Sequence, residues 1–260
     1  MLFLAVFVRT RVYVDGFNLY YGALKGTPFK WLNPVALACR LLPAGCTVDR
    51  LNYFTARVSG KSNPQAPARQ QIYLRALNTL PEVKVHFGSF LAKTTWRPLI
   101  NLPVADRRIH TPNPITIPAG HHLVGGQILP VGNYPMHGIN KKKRRKRYRL
   151  LSDAVIAEIH TMEEKGSDVN LAAHLLNDAW KGLFEVAAVI SNDTDLVTPI
   201  RMVAIERKKP VFVICPGRWQ IAPKLANVAS HVRHIRRTML KALQFANPIP
   251  GTMISKPADW

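Results

Sequence analysis

Three short stretches of this chain hold carboxylates at spacings that suit metal chemistry. Residues 14–18 (VDGFN) offer Asp15 and Asn18. Residues 163–168 (EEKGSD) offer Asp168, with Glu163 and Glu164 upstream. Residues 190–196 (ISNDTDL) offer Asn192, Asp193 and Asp195. Each stretch falls where a strand-like run ends or a helix begins. The 260 residues include only 15 acids against 36 Lys and Arg, so four acids at such positions form a selective pattern. Carboxylates brought within a few ångströms repel one another, and a hard divalent cation, Mg2+ or Mn2+, relieves that repulsion through oxygen ligands. A metal so held ionises a water and neutralises charge on an attacked phosphodiester. Asn18 and Asn192 would orient the metal-bound water or contact phosphate. Singly, each acid also has a plainer use. Asp15-Gly16 is a common turn, Asp168 offsets a helix dipole, and Asp193 or Asp195 caps a helix starting at Leu196.

The elements that must position these residues alternate along the chain. Residues 11–14 read as a strand ending at Asp15-Gly16, and 17–23 turn helical. Residues 34–42 (PVALACRLL) form a helix with proline in its favoured first turn. A strand follows at 48–58, a helix at 66–80 and a third strand at 83–91. After residue 149, Ser167 is the natural N-cap of a helix over 168–180. The continuous apolar runs 184–190 (FEVAAVI) and 210–215 (PVFVIC) are the mark of strands covered on both faces. Helices at 196–206 and 222–229 and a short strand at 231–235 complete the pattern. Strands separated by helices imply βαβ units and a mainly parallel sheet. In such sheets ligands bind beyond the carboxyl ends of the strands, where strand order reverses.

Residues 93–149 break this rhythm. Pro, Gly and His interrupt one another, and twelve Lys or Arg face one acid. The stretch ends in residues 141–149 (KKKRRKRYR), where only Tyr148 is not basic. It reads as an insertion or arm without a core of its own. The formal net charge of +21 points to a polyanion partner, nucleic acid first. Cys39, Cys46 and Cys215 make no CxxC pair, so free thiols in a reducing, cytoplasmic setting are expected. The apolar start, residues 1–8, is far shorter than the ~20 residues that span a bilayer. No HExxH, GxSxG or GxGxxG occurs, and Gly60-Lys61-Ser62 lacks the earlier glycine of a phosphate loop.

VYVDGFNLYYG, EEKGSDVNLAAHLL and VISNDTDLVTPIR, followed by KKPVFVICP, resemble the NYN domain family, especially its LabA-like branch, which is similar to PIN-type nucleases. The resemblance covers residues 11–91 and 160–236. It implies a Rossmann-like, PIN-like α/β fold and metal-site roles for Asp15, Asp168 and Asp193. Asp195 would complete the acidic group, with Asn18 beside it and Lys165 on substrate phosphate. Asn192 stands where the family often has glycine. The expected protein is thus a single domain over residues 1–240, interrupted by the insertion 93–149 and followed by a tail, 241–260. Its expected activity is metal-dependent RNA hydrolysis, in an endonuclease whose Lys141, Lys142, Lys143, Arg144 and Arg145 grip the RNA backbone. RNA is the expected partner, no membrane is involved, and self-association is left open. The rivals are a non-catalytic RNA-binding module and a phosphatase acting on small phosphate esters.

Overall fold

The computed structural model describes residues 7–60, 63–98, 115–116, 118–119, 121–124, 127–130, 155–217 and 220–260. The chain divides into two compact units, one of Met1–Phe90 with Glu164–Trp260, the other of Leu91–Glu163.

The first unit is built on six parallel strands: β1 (Val8–Asp15), β2 (Cys46–Thr55), β3 (Val83–Phe87), β4 (Val186–Ile190), β5 (Val211–Cys215) and β6 (His231–His234). They lie in the order β6-β5-β4-β1-β2-β3. Counted along the chain this is 3-2-1-4-5-6, the doubly wound order, which reverses direction between β1 and β4. The α/β class expected from the sequence is what the chain adopts. Each residue of β4 and β5 is buried, as continuous apolar runs require of central parallel strands. The edge strands β3 and β6 are partly exposed.

Alternation along β1 splits the core between the two faces of the sheet. Val12 and Val14 pack on one face with Leu51, Tyr53 and the helices α2 (Pro34–Leu41) and α3 (Ala66–Leu77). Tyr13 faces the other way, with Phe54, Val189, Val213 and helix α4 (Ser167–Trp180). The first helix, α1 (Gly16–Leu19), runs on as a π-helical turn, Tyr20–Leu24. Helix α2 starts as expected: Asn33 accepts the N–H groups of Val35 and Ala36, and Pro34 opens the first turn. Helix α4 differs from expectation at its start. Gly166, not Ser167, occupies the cap position, at φ 92°. That left-handed conformation suits glycine, and it places Ser167 inside the first turn. Short helices α5 (Val197–Arg201), α6 (Pro223–Val228) and α7 (Arg237–Ala242) finish the unit.

The segment set apart in the sequence as a tail packs into the core. Phe245 and Ile249 are buried with Trp31, and the Trp260 ring lies 6.3 Å from that of Trp31. Trp31 Nε1 donates to the Ala246 carbonyl at 3.2 Å, and the Phe245 N–H donates to the Trp31 carbonyl at 2.9 Å.

The second unit is wider than the insertion expected at 93–149, and it has regular structure. Ser89–Pro98, Val155–Lys165 and Ile115–Thr116 form a three-stranded sheet with Val155–Lys165 in the centre, and His121–Val124 pairs antiparallel with Gln127–Pro130. The basic run 141–149, with Lys141, Lys142, Lys143, Arg144 and Arg145, lies outside the described residues. Among the described residues, no helix is long and apolar enough to cross a membrane.

Candidate functional site

Two polar constellations stand out in the first unit. The first lies where strand order reverses, at the carboxyl ends of the adjacent strands β1 and β4. Parallel pairing sets Val14 beside Ile190, so Asp15 and Ser191 emerge together. Asp15 is 4% exposed. One carboxylate oxygen accepts the Asn18 N–H at 2.9 Å, capping α1, and the other accepts the Ser191 hydroxyl at 3.2 Å. The same Ser191 oxygen accepts the Asp193 N–H at 3.1 Å. Asn18 Oδ1 accepts the Asn192 N–H at 3.1 Å, and Asn192 Oδ1 accepts the Ala222 N–H at 2.8 Å. The Tyr53 phenol is pushed up by burial and by the Asp15 carboxylate, which keeps it a neutral hydroxyl. Asp15, Asn18, Asn192 and Asp193 thus meet in one network that ties β1, β4 and the loop before α6.

The metal centre expected from Asp15, Asp168 and Asp193 is not assembled. Among the described residues, no group of three or more His, Cys, Asp or Glu side chains is placed to hold a metal ion. Asp15 caps α1, and Asp193 accepts the Asp195 N–H at 2.9 Å to cap the 3-10 turn Thr194–Leu196. Asp195 is exposed, and Asp168 sits half-buried in the first turn of α4. Lys165 ends the strand Val155–Lys165. The turn after β1 does not fit a dinucleotide pyrophosphate either. The helix N-terminus that would face a phosphate is filled by the Asp15 carboxylate. The glycine there serves packing, since a Cβ on Gly16 would stand 2.7 Å from the Phe54 carbonyl.

Replacing Ser191 with alanine removes a donor from a buried carboxylate and an acceptor from the Asp193 N–H. The expected loss is about 1–3 kcal/mol of stability, read by denaturant unfolding.

The second constellation is a cleft of about 360 Å³ on the α4 side of the sheet, lined by Arg11, Arg50, Asn52, Lys84, His86, His174, Asn177 and Asp178. Sequence reasoning missed it. Its signal was present as cationic and polar residues at alternate positions of three strands, 11, 50 and 52, and 84 and 86. Asp178 is its internal anchor, accepting the Tyr13 hydroxyl at 2.8 Å and the Arg11 guanidinium at 2.9 Å. His86 Nε2 lies 2.9 Å from Asn52 Oδ1, and its ring is 4.2 Å from that of His174.

Burial, with His174 and Lys84 adding to it, lowers the His86 pKa to about 4. The sign follows from linkage. Native His86 stays neutral where an unfolded imidazole, at about 6.5, takes up a proton. Stability should therefore fall as pH drops from about 6.5 through 4. The slope stays below about 1.4 kcal/mol per pH unit, and solvent screening of this half-buried ring reduces it further. Unfolding of His86→Gln across the same range should show a flatter dependence; parallel curves would exclude the assignment.

No family model matches the chain. Over 264 aligned residues it is 27% identical to the 6-hydroxy-3-succinoylpyridine 3-monooxygenase HspA of Pseudomonas putida (strain DSM 28022 / S16), spanning 97% of this chain and 75% of that protein. A crystal structure of a protein of unknown function from Vibrio parahaemolyticus RIMD 2210633 superposes with a TM-score of 0.47 and 12% identity, over 89% of this chain and 95% of the other. The relative overturns the reading of the chain as a metal-dependent ribonuclease hydrolase: what this chain is similar to across almost its full length bears the name of a monooxygenase.

Proposed function

We propose that this chain is an oxidoreductase of the monooxygenase class acting on a small ring-hydroxylated aromatic acid. The observation that carries the reading is the identity of 27% running through 97% of the chain. A likeness of that reach concerns the whole polypeptide and not one borrowed segment. The likeness of the three sequence motifs to the NYN family is, in this reading, one of fold, because one fold hosts unrelated chemistries. Monooxygenation puts one oxygen atom of O2 into the product and releases the other as water, with two electrons and two protons drawn from a donor.

The network at the ends of β1 and β4 supplies the proton chemistry. Asp15, buried and held by the Asn18 N–H and the Ser191 hydroxyl, takes the proton of the substrate's ring hydroxyl. The electron-richer ring that results reacts more readily with an electrophilic oxygen. General-base assistance of this kind contributes about 100-fold to 10,000-fold in rate. Asp15→Asn removes the base but keeps a good N-cap, so turnover should fall about 100-fold or more with melting little changed. The three thiols are free, which supports a reducing, cytoplasmic compartment.

The test is oxygen uptake by the purified chain given 6-hydroxy-3-succinoylpyridine, reduced nicotinamide nucleotide and flavin. Uptake that depends on both protein and substrate is the expected result. Uptake indifferent to the hydroxypyridine would remove the reading.

A further inference from the structure

The cleft beside α4 lies well away from Asp15. Arg11 and Asp15 are four residues apart on β1, roughly 13 Å along an extended strand. Its cationic groups are set by strand register. Arg11 of β1 stands directly beside Arg50 of β2, and Asn52 of β2 beside Lys84 of β3. Two guanidinium groups facing each other across neighbouring strands repel. Arg11 is offset by Asp178 at 2.9 Å and by Asp49 at 3.6 Å. Arg50 and Lys84 have no ion-pair partner among the described residues. Asn52 is 4% exposed, and its Nδ2 donor finds no hydrogen-bond partner among the described residues. A buried donor left unmade is costly, and this one lines the cleft together with two uncompensated cations.

We infer that this cleft is a binding site for the carboxylate of a small organic acid, with Arg50 and Lys84 as its charge partners and Asn52 Nδ2 as a neutral donor. A singly charged head group suits it better than a phosphate dianion. Asn177 and Asp178 belong to the last turn of α4, whose carbonyl end is electronegative, and Asp178 adds a fixed negative charge at the same wall. The imidazoles of His86 and His174 give the ligand flat walls, and the volume of about 360 Å³ falls within the range of small-molecule pockets.

The probe pair is nicotinate and nicotinamide, equal in shape and different in charge, titrated into the intact protein by calorimetry. In parallel, the imidazole resonances of His86 are followed by NMR. The groups facing that imidazole are His174, Lys84, Arg50 and Asp178. Nicotinate should bind saturably and at least about tenfold more tightly than nicotinamide. Arg50→Ala and Lys84→Ala should each weaken it roughly tenfold, the loss expected for one charge-assisted hydrogen bond. Arg50 is half-buried and Lys84 exposed, so both variants should fold; their melting curves serve as the control. Bound nicotinate should raise the His86 pKa, because an anion favours the imidazolium. Equal affinity for the two probes, no saturable binding below about 10 mM, or binding unchanged in both variants would overturn the inference. These readouts involve no oxygen and no turnover, so they stand or fall apart from the monooxygenase reading.

Discussion

Replacing Asp178 with alanine should cost about 3 kcal/mol of folding stability. The carboxylate is the shared acceptor of two groups that cannot reach water freely. Tyr13, fully buried, donates its hydroxyl to Asp178, and burial together with the nearby carboxylate pushes the phenol pKa well up, so it remains a donor. The Arg11 guanidinium, 18% exposed, pairs with the same oxygen. Removing one partner of a buried ion pair leaves the other charge uncompensated, a loss of about 3–5 kcal/mol. The residual exposure of Arg11 and its second carboxylate, Asp49 at 3.6 Å, set the value at the low end. Asp178→Asn keeps one carbonyl acceptor and should lose about 1–2 kcal/mol. Denaturant unfolding of the two variants separates these outcomes, and a loss below about 1 kcal/mol for alanine would deny Asp178 its anchoring role.

Ending the chain after Leu243 should abolish stable folding. That truncation removes Phe245 and Ile249, each 8% exposed in the core, and takes Trp260 from the aromatic group around Trp31. It also strips the Trp31 indole of its acceptor and the Trp31 carbonyl of its donor. Large-to-small loss at one such aromatic site costs about 3–5 kcal/mol. Several together match a whole domain's stability of about 5–15 kcal/mol. Trp31→Ala alone should reproduce the single-site loss. A truncated chain that unfolds as cooperatively and at the same denaturant concentration as the intact one would refute the packing described for residues 244–260.

The parallel sheet was legible because its evidence is local. The runs 186–190 and 211–215 have no polar residue, and apolar runs of that short length suit strands covered on both faces. The gathering of Asp15, Asn18, Asn192 and Asp193 was legible for the same reason, since they stand at the carboxyl ends of β1 and β4, and parallel strands end at a shared edge. What those residues do there was not legible. A carboxylate that caps a helix and one that binds metal have the same letter and the same neighbours. What tells them apart is whether other ligands stand beside them, and among the described residues no group of three or more is so placed. The cleft was hidden for a different reason. Arg11, Asn52, His86 and Asp178 come from four elements, and nothing within any one of them marks the register that sets them side by side. Residues 241–260 were set apart as a tail, yet isolated apolar residues such as Phe245 and Ile249 fill a core without regular secondary structure.

Whether the chain is the monooxygenase proposed here is decided by where the oxygen in the product comes from. The protein is supplied with 18O2, 6-hydroxy-3-succinoylpyridine, and reduced nicotinamide and flavin nucleotides, and the product is weighed by mass spectrometry. One 18O atom per product molecule is expected, with label in the remaining water and far less product from Asp15→Asn. Product formed without label, or equal yield under argon, would contradict the account.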